Sequence, residues 1–398
     1  MSIMNFVFIS PNFPKIYSHF VRALSDKGIR VIGIGDEPYS SLNDELKTYL
    51  AEYCYVSDMN NLDWMRNTLR YIEGKYGHID YLESNNEYWM ENDARFRDEF
   101  YIESGYHFEE LQQYKCKSSM KKYFSEAGVK VARYILVSDL EKSLKFVSEV
   151  GYPVFAKPDN GVGAAETYKI TNEDELKAFH ADKHKDTYIM EEYIEGYIVS
   201  FDGIANENAD VVIAFNETFP TPIATVVREN KDVYYYAKSD MPKEFREMGE
   251  RVVKAFNIRS RCFHIEFFCL TEAKKGIAKK GEIIALEANL RSPGGETPVL
   301  LNLVSGTNYY ETYANMIKNQ VGKLDNVTNK IAMSVNRKNN YKYVESVKDI
   351  YNFYKNNIVV HGYYPPSFRD AMGDEYFIAL FDNMDDALRF QTFVHNKK

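Results

Sequence analysis

The chain has 398 residues, of which 45% are apolar and 27% are charged, and this composition excludes disordered, collagen-like and coiled-coil proteins. The formal net charge is −9 and no basic stretch stands out, so nucleic acid is not expected as the main partner. The length exceeds that of one typical core and predicts several packed regions.

The N-terminal part alternates between strand and helix patterns. Apolar strands are predicted at 4–9, 29–36, 53–58 and 79–84, with helices between Pro14 and Gly28 and around 61–76. This alternation predicts a parallel α/β sheet. The turn after the first strand, 10–17, contains no glycine, so a dinucleotide-binding phosphate cradle is not expected there.

From residue 115 the pattern changes to strands separated by glycine-rich turns. A helix is predicted from 117, a strand at 152–158 runs into a glycine-rich loop, and two strands flank Gly196. Residues 211–237 alternate as antiparallel strands do, and a helix at 242–257 precedes strands at 262–268 and 282–289. The remaining C-terminal residues are predicted to form a small α+β region.

Nothing in the sequence predicts a membrane span or an export signal. The longest apolar runs, such as 211–215, have the length of a strand, and the first residues lack a basic segment and a cleavage site. The four cysteines form no Cys-x-x-Cys pair. Free thiols and a cytoplasmic location are therefore expected.

The densest group of chemically active residues is acidic. Glu266 lies on one predicted strand, and Glu287, Asn289 and Arg291 alternate along the next, so their side chains share one face. Pairing of two antiparallel strands would bring Glu266 beside Glu287 and Asn289. Two carboxylates and an amide oxygen suit Mg²⁺ or Mn²⁺. The alternative is a solvated sheet face with its charges pointing outward.

A second group is basic, and a third follows it. Lys157 ends a strand before the loop 159–167, whose small residues allow backbone N–H groups to approach an anion. Alone, this pattern is equally typical of a hairpin turn, and Lys117 alone is typical of the surface.

The segment 189–196 joins a strand to a Glu-Glu-Tyr-Ile-Glu-Gly turn. The backbone of such a turn can offer donors and acceptors to a flat ring of a ligand, but the motif is not specific by itself.

Taken in order, these motifs resemble the ATP-grasp superfamily, which includes biotin carboxylase, D-alanine–D-alanine ligase and carboxylate–amine ligases. The resemblance runs from Lys117 through GYPVFAKPDNGVGA, MEEYIEG and HIEF to LEANLRSPGG, and covers about 115–310. It implies an α/β and α+β multidomain chain. The implied domains are an N-terminal α/β domain at 1–114, a mobile lid at 115–190, a central antiparallel sheet at 191–325 and an α+β cap at 326–398.

The resemblance also implies roles for individual residues. Lys117 and Lys157 would bind the phosphates of ATP, and Arg291 would stabilise an acyl phosphate. Glu266, Glu287 and Asn289 would hold Mg²⁺ or Mn²⁺. The implied contacts to the nucleotide further include the lid loop and the adenine hinge: Gly161, Gly163, Ala164, Glu191, Glu192 and Ile194. One departure concerns the ribose, because Ile198 stands where relatives often carry a Glu; Glu195 or Asp202 would have to replace it.

The implied activity is that of an ATP-dependent ligase that activates a carboxylate as an acyl phosphate and joins it to an amine. Small-molecule carboxylates and amines are the expected substrates, and neither nucleic acid nor a membrane is expected as a partner. The resemblance is also compatible with a homodimer. Arg228 and the 234–236 tyrosines are candidate substrate contacts, as is Glu87 after the fourth strand. The alternatives are a non-catalytic ATP-binding regulatory protein and an ATP-grasp phosphotransferase.

Overall fold

A parallel sheet opens the fold in the computed structural model, which describes residues 3–160, 166–182, 184–319, 321–325 and 327–398. The first part of the chain contains strands β1 (Asn5–Ile9), β2 (Arg30–Gly35), β3 (Glu52–Tyr55) and β4 (Tyr81–Glu83), and helices α1 (Ser18–Asp26), α2 (Asp44–Tyr49), α3 (Leu62–Tyr76), α4 (Met90–Glu99) and α5 (Phe108–Lys115). The strand order is β3-β2-β1-β4, and the pairs are parallel. The predicted parallel α/β sheet is thereby confirmed.

A small antiparallel sheet follows and forms the lid. This region holds α6 (Lys117–Glu126), β5 (Tyr134–Leu136), α7 (Leu140–Val150), β6 (Val154–Pro158), β7 (Tyr168–Ile170), α8 (Glu173–Ala181) and β8 (Tyr188–Glu192). The strand order is β5-β8-β6-β7. Phe146, Leu176 and Phe179 from the two lid helices pack on one face of this sheet, and their burial gives the lid an apolar core of its own.

The third sheet has eight strands among the described residues and runs through the rest of the chain. Its elements are β9 (Gly196–Ala205), β10 (Val211–Phe219), α9 (Ile223–Glu229), β11 (Val233–Lys238), α10 (Lys243–Ala255), β12 (Arg261–Leu270), β13 (Ile283–Asn289), α11 (Thr297–Val304), α12 (Tyr309–Ile317), β14 (Ile331–Arg337), α13 (Val347–Tyr354), β15 (Ile358–Tyr363), α14 (Arg369–Met372), β16 (Glu375–Phe381) and α15 (Met384–Val394). The order β13-β12-β9-β10-β11-β14-β16-β15 means that the C-terminal strands continue the central sheet.

One element departs from the expected pattern. Residues 211–237 were predicted as strands throughout, but helix α9 lies between β10 and β11. Pro222 precedes the helix and Asn230 ends it in a left-handed conformation with φ 48°. The Val and Ile residues of α9 suit a strand by local preference. Val227 is exposed, but Val226 is fully buried, and its packing in the fold overrides that preference.

Contacts between α1 and α12 and between β4 and β12 help to hold the N-terminal sheet on the central sheet. Phe20 of α1 packs edge-on against Tyr310 of α12, with ring centroids 4.9 Å apart. Glu83 at the end of β4 pairs with Arg261 at the start of β12, at 2.9 Å between Oε2 and Nη2. The carboxyl ends of β1 and β4 are thereby placed beside the carboxyl end of β13. No helix of the described residues is both long and apolar enough to cross a membrane.

Candidate functional site

A cleft of about 320 Å³ lies between the lid sheet and the strands β9, β12 and β13. Its lining combines lysines from the lid side with carboxylates from the central sheet, together with apolar side chains such as Ile198 and Phe268. Most of the residues predicted to act on a nucleotide lie here. The exceptions are Gly161, Gly163 and Ala164, which fall outside the described residues.

Three lysines form one wall of the cleft. Lys117 is the first residue of α6, Lys121 follows one helical turn later, and Lys157 comes from β6. All three are buried, with exposed fractions of 4%, 2% and 7%. The sequence analysis missed Lys121, although its i+4 spacing from Lys117 placed it on the same helix face.

Two of the three buried lysines, Lys121 and Lys157, share Glu191 as their partner. Its Oε2 lies 2.7 Å from the Lys157 ammonium, and its Oε1 pairs with Lys121. Burial alone would raise the pKa of Glu191, but the two ammonium groups outweigh it and lower the pKa to about 2. Burial also lowers the pKa of Lys121, whereas the acidic neighbours of Lys157 raise its pKa. Glu191 is therefore ionised, and its side chain lies against the lysines of this wall.

The acidic wall is built by the pairing of β12 with β13. Glu266 lies directly opposite Glu287, and His264 lies opposite Asn289, which confirms the predicted neighbourhood of these residues. The register shifts after Glu266, so the pair stands at a bulge. The Lys117 ammonium lies 3.7 Å from Glu287 Oε1 and connects the two walls.

The two carboxyl groups differ in their electrostatic surroundings. Burial raises the pKa of Glu287, and the nearby Glu87 adds to this while Lys117 opposes it. Burial also acts to raise the pKa of Glu266, but the hydrogen bond and charge of His264 outweigh it and the pKa is lowered. A cation placed between them would stabilise both in the ionised form, because carboxylate oxygens are hard ligands. The donor set of Glu266, Glu287 and Asn289 thus fits Mg²⁺ or Mn²⁺.

Arg291 closes one end of the acidic wall. Its Nη2 lies 2.8 Å from Glu87 Oε2, and its Nη1 donates to the Ser292 carbonyl at 2.9 Å. Glu87 comes from the loop between β4 and α4, so the N-terminal region fixes the direction of the guanidinium. Gly294 also lines the cleft, and Gly295 beside it has φ +58°, a conformation that favours glycine.

The predicted adenine hinge connects β8 to β9. The Glu192 carboxylate is buried and pairs with Arg133, whose Nη2 lies 2.6 Å away. The backbone N–H groups of Glu192 and Tyr193 donate to the carbonyls of Arg133 and Pro153. Ile194 lines the cleft and packs into a small core with Leu270 and Ile284. The hinge is thus fixed to the lid through Glu192 and Tyr193.

The structure separates several other predicted residues from the cleft. Tyr235 is fully buried against Phe219, while Tyr234 and Tyr236 pack on the opposite side of β11. Asp202 is completely buried in a pair with His264 and therefore does not replace a ribose-binding carboxylate. Arg228 does line the cleft, from α9, and pairs with Glu229 at 2.8 Å.

A model of the ATP-grasp domain matches residues 116–294, the part of the chain that supplies both walls of the cleft. This chain carries an ATP-grasp domain. The expected fold class is confirmed with it, because the parallel N-terminal sheet, the lid sheet and the long antiparallel sheet match solved ATP-grasp ligases. Domains of this family use ATP as their nucleotide.

Two curated relatives match parts of the chain. The L-arginine-specific L-amino acid ligase of Bacillus subtilis is 24% identical over 260 residues, which is 63% of this chain and 60% of that protein. D-alanine–D-alanine ligase B of Clostridium perfringens is 30% identical over 83 residues, or 20% of this chain and 28% of that protein. The chain thus spans less than two thirds of the length of each of these relatives.

Among solved structures, the L-amino acid ligase of Bacillus licheniformis superposes with a TM-score of 0.73 over 98% of this chain and 96% of that chain. The sequence identity is 12%, so the likeness concerns the fold. It extends beyond the ATP-grasp domain and includes the N-terminal parallel sheet.

Proposed function

We propose that this protein is an ATP-dependent ligase that activates a carboxylate as an acyl phosphate and joins it to an amine. The observation that carries the proposal is the arrangement of the cleft: three buried lysines face two paired carboxylates, with Arg291 at one end. The similarity to an L-amino acid ligase supports an amino acid as the source of the amine. Both substrates are then small molecules.

The residues divide the work on the nucleotide. Lys117 and Lys157 bind the phosphates, while the sequence-based assignment of Gly161, Gly163 and Ala164 to the nucleotide stays a prediction that lies outside the described residues. Glu192 and Ile194 border the adenine, with Glu191 beneath the phosphates. Glu266, Glu287 and Asn289 hold Mg²⁺ or Mn²⁺, which neutralises charge on the phosphate oxygens when it is bound.

Glu191 and Glu87 hold the cationic groups in place before substrates arrive. The Lys157 ammonium has one short contact with Glu191 and keeps donors for a phosphate oxygen, since an ammonium has three. Arg291 is held by Glu87 in the same manner. Preorganised cations of this kind stabilise developing negative charge without having to reorient during the reaction.

The reaction runs in two steps. An oxygen of the substrate carboxylate attacks the γ-phosphorus, and the bond from that phosphorus to the bridging oxygen of ADP breaks. The amine nitrogen then attacks the acyl carbon, inorganic phosphate leaves, and the amine loses a proton. Arg291 offers its guanidinium to the acyl phosphate and to the tetrahedral intermediate. Exclusion of water by the lid protects the acyl phosphate from hydrolysis.

The test measures phosphate release from ATP, in the presence of Mg²⁺, across a panel of amino acids and metabolite acids. Mass spectrometry then identifies the products. A ligase gives ADP, phosphate and a product equal to both substrates minus water, and Lys157→Ala and Glu287→Ala abolish it. Lys177→Ala, an exposed lysine of α8, is the matched control. A phosphorylated end product identifies the phosphotransferase alternative, and ATP binding without turnover identifies the regulatory one. A homodimer and a cytoplasmic location stay predictions.

A further inference from the structure

A buried chain of polar groups lies behind Glu266. His264 Nδ1 is 2.5 Å from Asp202 Oδ1, and His264 Nε2 is 3.4 Å from Glu266 Oε1. The strand register explains the contacts: Asp202 on β9 stands opposite His264 on β12, and Glu266 follows two residues later on the same face. One imidazole thus joins a carboxylate in the core to a carboxylate in the cleft.

The far end of this chain is firmly held. Asp202 is completely buried, and its Oδ2 accepts a hydrogen bond from the Ser200 hydroxyl. The imidazole is also buried, with an exposed fraction of 8%. A ring clamped through Nδ1 by a buried carboxylate has one orientation, so the direction of its Nε2 toward Glu266 is fixed.

A third carboxyl group stands next to the pair. Glu217 on β10 is completely buried; its Oε1 accepts from the Thr297 hydroxyl at 2.9 Å, and its Oε2 has no partner among the described residues. Asp202, Glu217 and His264 lie close enough for one metal ion to contact all three. Such an ion would have to take Nδ1 or the Asp202 oxygen out of their short hydrogen bond, which favours the hydrogen-bonded pair over a metal site.

We propose that His264, oriented by Asp202, is a positioning residue that fixes the Glu266 carboxylate for divalent-cation binding. The inference rests on the proposed function, because it takes Glu266 as a ligand of the cation. Groups that hydrogen-bond a metal ligand hold it in its binding orientation, and their loss weakens metal binding by about 10- to 100-fold. His264 itself does not contact the cation.

Two substitutions of the same side chain separate the two halves of this role. His264→Gln keeps a donor near the Nε2 position, facing Glu266. His264→Asn keeps a donor near the Nδ1 position, facing Asp202, and removes the one that faces Glu266. We expect Mn²⁺, titrated into the protein with ADP and followed by electron paramagnetic resonance, to bind at least about tenfold more weakly to the Asn variant. The Gln variant should stay within a few-fold of the unmodified protein.

The controls distinguish this inference from the proposed function. Glu287→Gln alters a proposed ligand directly; if it leaves Mn²⁺ binding unchanged, the proposed metal site is wrong. If it weakens binding while His264→Asn does not, the positioning role alone is overturned. Should the Asn variant fail to fold, Asp202→Asn, which retains an acceptor for Nδ1, must weaken Mn²⁺ binding by a smaller factor. A Mn²⁺ ion lost on Glu217→Gln would instead establish a metal in the buried cluster and overturn the inference.

Discussion

The guanidinium of Arg291 and the carboxylate of Glu87 meet at 2.8 Å, and this pair joins the segment after β13 to the loop after β4. The pair couples the N-terminal sheet to the place where the acyl phosphate is proposed to form. Because Glu87 orients the guanidinium, the loop after β4 is in direct contact with the group proposed to stabilise the acyl phosphate.

We expect Arg291→Gln to lower kcat by about 100-fold or more, because it removes a charged donor from the transition state. Glu87→Gln should lower kcat by about tenfold with a smaller effect on the KM for ATP, since the guanidinium stays but loses its partner. Steady-state kinetics with the best substrate pair measure both values. Arg389→Gln, at an exposed position of α15, is the control. A fully active Arg291→Gln variant would contradict the assigned role.

Glu191→Gln is expected to destabilise the protein and to increase the effect of nucleotide on its stability. The substitution leaves Lys121 and Lys157 buried without their shared carboxylate, and breaking a buried pair in this way costs about 3 kcal/mol or more. ATP supplies the missing negative charge. Thermal unfolding with and without ATP should therefore give a larger upward shift of Tm in the variant. Equal shifts in both proteins would mean that the phosphates do not lie at these lysines.

The Glu83 carboxylate is expected to be important for the attachment of the N-terminal sheet. It pairs with Arg97 at 3.0 Å and with Arg261 at 2.9 Å, and all three side chains are buried. Glu83→Gln should lower the free energy of unfolding by about 3 kcal/mol, since two guanidinium groups lose their counter-charge. Urea denaturation measures the change. Glu99→Gln, which breaks the exposed pair with Arg66, should change it by less than about 1 kcal/mol.

The stability of the protein should depend on pH through Glu296. Burial raises the pKa of Glu296 from the ordinary value of 4.5 to about 7, partly offset by a hydrogen bond from Tyr376. The folded state therefore binds this proton more tightly than the unfolded state. The resulting stability is present below pH 4.5 and is lost as the pH rises to about 7.

Comparison of Glu296→Gln with the unmodified protein isolates this group from the other titrations. The free energy of unfolding of the variant, relative to that of the unmodified protein, should increase by roughly 3 kcal/mol from pH 4 to pH 8. This value follows from about 1.4 kcal/mol for each unit of pKa shift. Urea denaturation at both pH values gives the difference. Glu141→Gln, at an exposed position of α7, should show no such change. A constant difference between the Glu296 variant and the unmodified protein would refute the prediction.

The acidic wall was predictable because strand periodicity is local. Alternation along 282–289 placed Glu287 and Asn289 on one face, and the expected antiparallel pairing with the preceding strand brought Glu266 beside them. The resemblance of ordered motifs then predicted the lid and the lysines. The domain boundaries stay predictions, and strand pairing runs across the one at 326, because β14 pairs with β11.

The buried supports of the site were not predictable in the same way. Asp202 meets His264 through a strand pair between segments 62 residues apart, and no local pattern fixes that register. Lys121 was within reach of a helical-spacing argument and was overlooked. The segment of helix α9 was predicted as strand because residues 211–237 alternate as antiparallel strands do, whereas the tertiary fold decides its conformation.

The placement of α9 has a consequence for protein engineering. This helix contributes Ile223, Thr225 and Arg228 to the cleft, while the proposed phosphate and cation residues lie on α6, β6, β12 and β13. Randomised libraries restricted to Ile223, Thr225 and Arg228, which leave the buried Val226 unchanged, therefore spare the residues proposed to activate the carboxylate. Variants with altered substrate preference can then be sought by selection, with ADP formation retained as an internal reference.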